Sequence, residues 1–229
     1  MPKTIVVVGF GPGVSTAVAE KFGREGFSVA LVARNEERLA AGVAALKAKG
    51  IAAARFPADA GDPAAIRSAI GKARAELGPI TVLHWNAFNN GQAGNLLTTD
   101  PAAVPGVFDV AIVGLLAAVQ EALPDLKGAG DGAVLVTNGA FGEIAPPIDA
   151  LATNMNVMGL ALANAAKHKL VGLLAARLKD EGVYIGEVMI AGAVKGTATG
   201  GDGGIESSTI ANKFWELYRA RGEIRARIS

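Results

Sequence analysis

Ile5-Val6-Val7-Val8-Gly9-Phe10-Gly11-Pro12-Gly13-Val14-Ser15 is the stretch whose reading decides how this chain folds. Four β-branched residues in a row read as a buried strand. The glycine turn that follows opens directly into a helix, Val14–Arg24, with Val14, Ala17, Val18 and Phe22 at helical spacing. Glycine permits a tight turn and lets backbone approach a phosphate closely. The helix behind it offers free N–H groups and the positive end of its dipole to an anion. At the start of a strand–helix–strand unit this is the arrangement of a dinucleotide cradle. Gly9, Gly11, Gly13, Val14 and Ser15 are its expected residues, with the Ser15 hydroxyl available to donate to a phosphate.

Working outward, short apolar runs alternate with longer alanine-rich segments. Ser28–Ala33 reads as the second strand and Glu36–Lys49 as a helix stopped by Gly50. Ile51–Phe56 is a third strand. Pro63–Leu77 is a helix with Asp62 as N-cap and proline in its first turn. Ile80–Trp85 is the fourth strand. In the second half, Pro101–Ala122 reads as a helix, Gly132–Thr137 as a strand, and Leu151–Lys179 as a long helical region with a break near Gly159 or Gly172. Val183–Ile190 is a strand, Ser208–Arg221 a helix carrying Phe214, Trp215, Leu217 and Tyr218, and Glu223–Ser229 alternates as an edge strand does. Continuous apolar strands joined by helices predict an α/β fold: a Rossmann-type, doubly wound parallel sheet of about seven strands with helices on both faces. No linker divides the chain, so residues 1–229 read as one NAD(P)-binding domain, and Gly196–Gly204 as a loop over the substrate. The aromatic group in the last helix reads as packing or subunit contact.

Composition narrows the function. Of 229 residues, 51% are hydrophobic and 19% charged, enough to build a large core and too apolar for disorder. The longest uncharged apolar helical stretch, around Ala111–Val119, is short of the ~20 residues a bilayer needs. Lys+Arg 22 against Asp+Glu 21 leaves a net charge of +1 without a basic block, which argues against nucleic acid. There is no cysteine and there are two histidines, so disulfides, thiolate chemistry and a metal site are not expected. His84, in a buried strand, reads as a satisfied core residue. No signal-peptide pattern opens the chain, and a cytoplasmic protein acting on a small molecule is the expectation.

Ala33-Arg34-Asn35 closes the second strand. A site built for NAD usually sets a carboxylate here for the ribose 2′-hydroxyl. This chain has Ala33 and then a guanidinium, which can bind a 2′-phosphate with charge-assisted, bidentate bonds. NADP is therefore the expected cofactor, preferred over NAD.

The turn Gly9-x-x-x-Gly13-x-Ser15 resembles the Gly-x-x-x-Gly-x-Gly turn of the short-chain dehydrogenase/reductase family, with serine for the last glycine and Val8 where threonine is common. Ala58-Asp59-Ala60 resembles the family's Asp-Val pair beside adenine. Leu83-His84-Trp85-Asn86-Ala87-Phe88 resembles its Asn-Asn-Ala-Gly segment, keeping Asn86 and Ala87 and placing Phe88 at the glycine. Ala191-Gly192-Ala193-Val194 resembles the Pro-Gly-x-Val loop, with Thr197 as its threonine. The resemblance implies that Asp59, Ala60, Asn86, Ala87, Val194 and Thr197 join Ala33, Arg34 and Asn35 around the cofactor, and that the long helices pair subunits into a homodimer or homotetramer.

The family's catalytic set is depleted. Ala111 stands at its asparagine, Gly139 at its serine and Ala163 at its tyrosine. Lys167 resembles its lysine, implying contact with the nicotinamide ribose, so Lys167 is the candidate catalytic and cofactor-binding cation. Asn138, with His168 and Thr153, is a candidate proton-donating group. His168 follows Lys167 on a helix and should point about 100° away from it. The resemblance implies an NADP-dependent oxidoreductase with an atypical centre; the alternative is an NADP-binding sensor or assembly protein with little turnover.

Overall fold

The computed structural model describes residues 3–89, 93–197, 200–201 and 203–229. Its first strand, β1 (Lys3–Val8), alternates faces as a strand must. Val6 and Val8 go to one buried cluster and Ile5 and Val7 to another. β2 (Phe27–Ala33), β3 (Ala53–Pro57), β4 (Ile80–Trp85), β5 (Ala133–Gly139), β6 (Tyr184–Ile190) and β7 (Arg225–Ile228) complete a seven-stranded sheet in the order β3-β2-β1-β4-β5-β6-β7. Every pairing is parallel. The doubly wound sheet read from the sequence is what the chain forms.

Helices cover both faces. α1 (Val14–Arg24), α2 (Glu36–Ala48) and the last helix, numbered α7 (Ser207–Ala220), bury Val18, Phe22, Leu39, Phe214 and Leu217 on one side. α3 (Pro63–Leu77), α4 (Leu115–Gly128) and α6 (Met158–Leu178) bury Ile66, Ile70, Leu115, Leu126 and Val171 on the other. The terminal aromatics pack as expected: Trp215 meets Phe22 edge-to-face at 5.1 Å between ring centres. Among the described residues no helix is long and apolar enough to cross a membrane.

Two helical expectations need correction. The stretch Pro101–Ala122 is not one helix. A short 3₁₀ turn at Pro101–Ala103 is followed by a π-helical turn, Asp109–Gly114, that leads into α4. Pro105 interrupts the first part, and Gly114 is held so tightly that an added Cβ would overlap the Ala60 carbonyl oxygen. The region Leu151–Lys179 begins earlier, as α5 (Pro146–Asn154), and breaks between α5 and α6 at Asn156, which has a left-handed φ of 53°. The break thus falls near Gly159, as the sequence predicts, and not near Gly172. Gly159 itself lets α6 dock: its amide donates to the Ala93 carbonyl at 2.7 Å. Of the Gly196–Gly204 loop, residues 198, 199 and 202 lie outside the described set. Its base is closed by Ile205 N–H donating to Ala193 O at 2.8 Å.

A buried charge cluster stitches α6 to the sheet. Glu187, fully buried in β6, accepts hydrogen bonds from Asn138 Nδ2 at 2.7 Å, His168 Nδ1 at 2.8 Å and Arg225 Nε at 3.1 Å. Arg225 also donates to the His168 carbonyl at 3.0 Å, in space that the missing side chain of Gly172 leaves free. Lys167 is 3% exposed, and burial lowers its ammonium from an ordinary 10.5 to about 8, opposed by the Glu187 carboxylate. His84 is only half satisfied. Its Nε2 is 3.1 Å from Thr137 Oγ1, Nδ1 has no partner among the described residues, and burial pushes its pKa down to about 3.

The packing gives one pair of predictions on glycines and one on pH. Gly114→Ala is expected to cost about 1–3 kcal/mol, a fall in Tm of roughly 4–10 °C by thermal denaturation. Gly71→Ala, on α3 with nothing within 4 Å of the added carbon, is expected to stabilise by about 0.5–1 kcal/mol. The other concerns pH. Between about 8 and 10.5 the unfolded chain keeps the Lys167 proton that the folded chain releases, so this group makes stability rise with pH across that window. Urea denaturation should show wild type gaining on Lys167→Met by on the order of 2 kcal/mol over it; parallel pH curves for the two proteins would contradict the burial of that ammonium.

Candidate active site

At the carboxyl ends of β1, β2 and β4 the chain forms a cleft of about 760 Å³. Its floor is the glycine turn. Gly9 takes a φ of +85°, and a Cβ there would sit 2.5 Å from the Ala87 Cα, so both conformation and space require glycine. Two neighbouring strands hold this corner: Gly9 N–H donates to Val32 O at 2.9 Å, and Asn86 Nδ2 donates to Gly9 O at 3.2 Å. Phe10 is buried against α2, where Gly42 leaves room for its ring.

The turn is braced from within. Ser15 Oγ accepts from Gly11 N–H and donates to Gly11 O, both at 2.9 Å, and Thr16 Oγ1 donates to the same carbonyl at 2.7 Å. The Ser15 proton is thus spent on the loop. It shapes the cradle and does not point at a ligand, contrary to the donor role read from the sequence. Gly13, at φ +88°, lies against Thr197 and Val194, whose side chains come within 2.9 Å and 3.6 Å of where its Cβ would be. Val14 begins α1 and is buried.

The three helices that start around this cleft end differently. Asn35 caps α2, accepting from Arg38 N–H at 2.7 Å. Asp62 caps α3, accepting from Ala64 and Ala65 N–H at 2.9 and 3.1 Å. No side chain caps α1 among the described residues. Its first N–H groups are the ones left to an anion.

Most of the expected cofactor residues converge here. Gly9, Gly11, Ser15, Ala33, Arg34, Asn35, Asp59, Ala60, Asn86, Ala87 and Thr197 all line the cleft. Arg34 is mostly exposed and sits 3.9 Å from an Asp59 carboxylate oxygen. Asp59 caps no helix; it accepts from Gly61 N–H at 2.9 Å. Gly13, Val14 and Val194 stand behind the turn and not in the cleft wall.

Lys167 and Asn138 do not join them. Asn138 is hydrogen-bonded to Glu187. Lys167 lies buried on α6, where the Glu187 carboxylate acts on its ammonium. His168 does turn away from Lys167, yet it meets the same carboxylate. Small residues fill the depleted centre: Ala111 and Ala163 pack with Ala93 and Val107. A Cβ on Gly139 would lie 2.6 Å from the Asn164 amide nitrogen, so that carboxamide, itself 4% exposed, fills the place of a side chain at 139. Thr153 bonds its own helix, donating to Asp149 O at 2.8 Å.

Sequence reasoning missed Arg38, Asp109 and Val110 in the cleft wall, and Glu187 buried in β6. Arg38 was signalled by the Asn35 cap, which puts residue 38 in the first turn of α2. Glu187 was signalled by a lone carboxylate inside the apolar run Val183–Ile190.

The model of the short chain dehydrogenase family matches residues 3–201. The oxidoreductase asL5 of Sarocladium schorii is 30% identical over 184 residues, which cover 80% of this chain and 69% of that protein. The 3-oxoacyl-[acyl-carrier-protein] reductase FabG of Staphylococcus aureus is 26% identical over 163 residues, 70% of this chain and 66% of the reductase. A 2,3-dihydro-2,3-dihydroxybenzoate dehydrogenase of Bacillus subtilis is 38% identical over 81 residues, only 31% of its own length. In structure, the NADPH-bound short chain oxidoreductase of Pseudomonas aeruginosa PAO1, described as containing an atypical catalytic center, superposes with a TM-score of 0.85 at 20% identity, over 99% of this chain and 95% of that one. A metagenomic short-chain oxidoreductase in complex with NADP gives 0.82 at 22% identity, over 99% and 96%. With a family model spanning most of its length and a relative of this identity, the chain belongs to the short-chain dehydrogenase family.

Proposed function

We propose that the protein is an NADP-dependent oxidoreductase that passes hydride between the nicotinamide and a carbonyl-type small molecule, residues 1–229 acting as one dinucleotide-binding domain. The observation that carries this reading is the uncapped amino end of α1 above a turn where glycine is sterically required. Side chains satisfy the two neighbouring helix starts, while the third keeps its N–H groups for a phosphate. The cofactor supplies the hydride; the chain binds and orients it. The α1 amino end would hold the pyrophosphate, Arg34 the 2′-phosphate, and Asp59 and Ala60 the adenine side. Asn86 and Ala87 would flank the nicotinamide half. The NADP-bound relatives in structure support a nicotinamide cofactor in this cleft.

Turnover without tyrosine is energetically reasonable. A positioned general acid contributes about 3–5.5 kcal/mol, whereas holding hydride and acceptor together supplies about 7–11 kcal/mol. The second reading, a cofactor-binding protein with little turnover, is favoured by one observation: Ala111, Ala163 and the Asn164-filled space at Gly139 leave no acidic hydroxyl at the centre. Exposed Val113 and Leu116 near the start of α4, and Leu162 and Leu173 on α6, are the surfaces proposed for pairing subunits.

Fluorescence titration should show NADPH binding more tightly than NADH, and Arg34→Ala should weaken NADPH selectively. Tighter binding of NADH would defeat the assignment of Arg34. A panel of carbonyl and enoyl compounds should then oxidise the bound NADPH; tight binding with no oxidation across the panel selects the sensor reading.

A further inference from the structure

Asn164, on α6, is 4% exposed and carries a polar group that the protein itself leaves unused. Its backbone carbonyl accepts from Asn138, but its carboxamide makes no hydrogen bond among the described residues. The described side-chain atoms that are both sealed from solvent and unpaired are His84 Nδ1 and Trp85 Nε1. The Asn164 carboxamide is not one of them, so its polar tip opens to solvent. A nearly buried amide without a partner is costly to keep, and such a group calls for a ligand. The polar side chains around it are spent: Asn138 on Glu187, Thr137 on His84, Thr153 on the Asp149 carbonyl. Asn164 Nδ2 lies 2.6 Å from the point where a side chain on Gly139, the last residue of β5, would begin. β5 is the neighbour of β4, with Val136 opposite Trp85. Three residues beyond that pair come Gly139 and Phe88, and Phe88 lines the cleft. The free amide therefore stands at the carboxyl edge of the sheet, one strand from the wall where the nicotinamide half would lie.

We infer that Asn164 is a catalytic residue, its Nδ2–H donating to the carbonyl oxygen of the substrate and to the alkoxide that this oxygen becomes. The inference rests on the oxidoreductase reading of the cleft and deepens it by naming the group that holds the reacting oxygen. As hydride reaches the carbonyl carbon, a C–H bond forms and the C=O π pair moves onto oxygen. Two electrons pass from dinucleotide to substrate. The alkoxide then takes a proton from water and leaves hydroxide. A carboxamide fits this division of labour, because its N–H groups donate hydrogen bonds without giving up a proton. Fixed in a site that is almost dry, such a donor acts where negative charge develops and needs no reorganisation as it does.

The test uses the intact protein as wild type, Asn164→Leu and Gly139→Ala. Leucine keeps the volume and removes the donor; the alanine methyl pushes the carboxamide aside from the strand. Each protein is loaded with NADP⁺, which cannot reduce a ketone, and then given acetophenone or cyclohexanone isotope-labelled at the carbonyl. Infrared difference spectra read the C=O stretch of the bound ketone. Wild type is expected to hold that stretch at lower frequency than either variant. With NADPH instead, kcat for the same ketone should fall roughly a hundredfold in Asn164→Leu, the loss for one oxyanion donor, while NADPH affinity stays unchanged. The amide has no protein partner, so Tm of Asn164→Leu should hold or rise. A C=O stretch in Asn164→Leu equal to that of wild type overturns the inference, and so does a lowered Tm with an unchanged stretch, which assigns Asn164 to packing alone. A wild type that binds no dinucleotide, or no ketone once loaded, overturns the oxidoreductase reading itself, and this shows before any substitution is made.

Discussion

The close passage of β1 past the end of β4 at Gly9 is the constraint on which the site depends. Backbone meets backbone there, with no room for a single methyl group. Because the two strands pinch at this point, the chain must leave β1 through a left-handed residue and turn sharply into α1. The cradle is therefore a by-product of sheet geometry, made rigid by two hydroxyls that bond Gly11 and by Phe10 wedged into α2. A preorganised backbone loses little entropy when an anion arrives, and binding energy is not spent on shaping the loop.

Polar groups are divided between two places with different chemistry. The cleft keeps its charges at the surface, where water screens them and a ligand can displace that water. At β5 and β6 the Glu187 carboxylate and the Lys167 ammonium are buried, while their partners His168 and Arg225 reach the surface. There a carboxylate with three hydrogen-bond donors and a nearby ammonium is stable only because each partner is in place. Asn138 links this cluster to the residue that fills the space at Gly139, since it also donates to the Asn164 carbonyl at 3.0 Å. The buried charges thus set the position of α6 and, through it, the residues that fill the depleted centre.

The fold was legible because its signals are local. A β-branched run before glycines, Asp62 before Pro63, and Gly50 after a helix each report on their own few residues. The cleft was legible for the same reason, since its walls are strand ends and the turns that follow them. What the pattern could not show depends on partners far along the chain. The position of the break, at Asn156 rather than at either glycine, coincides with the docking of the α6 start on Ala93 and Gly94. The π-helical turn ends where Gly114 presses on Ala60. The burial of Lys167 near Glu187 depends on β6, whose Glu187 lies twenty residues further along the chain. Ser15 reads as a phosphate donor until Gly11 is seen to take its proton.

The carboxamide of Asn164 at the end of β5 also limits what position 139 can carry. Position 139 has no room for a side chain while that amide stands 2.6 Å from where its first carbon would lie. The two positions are sterically coupled: a side chain at 139 requires the Asn164 carboxamide to move.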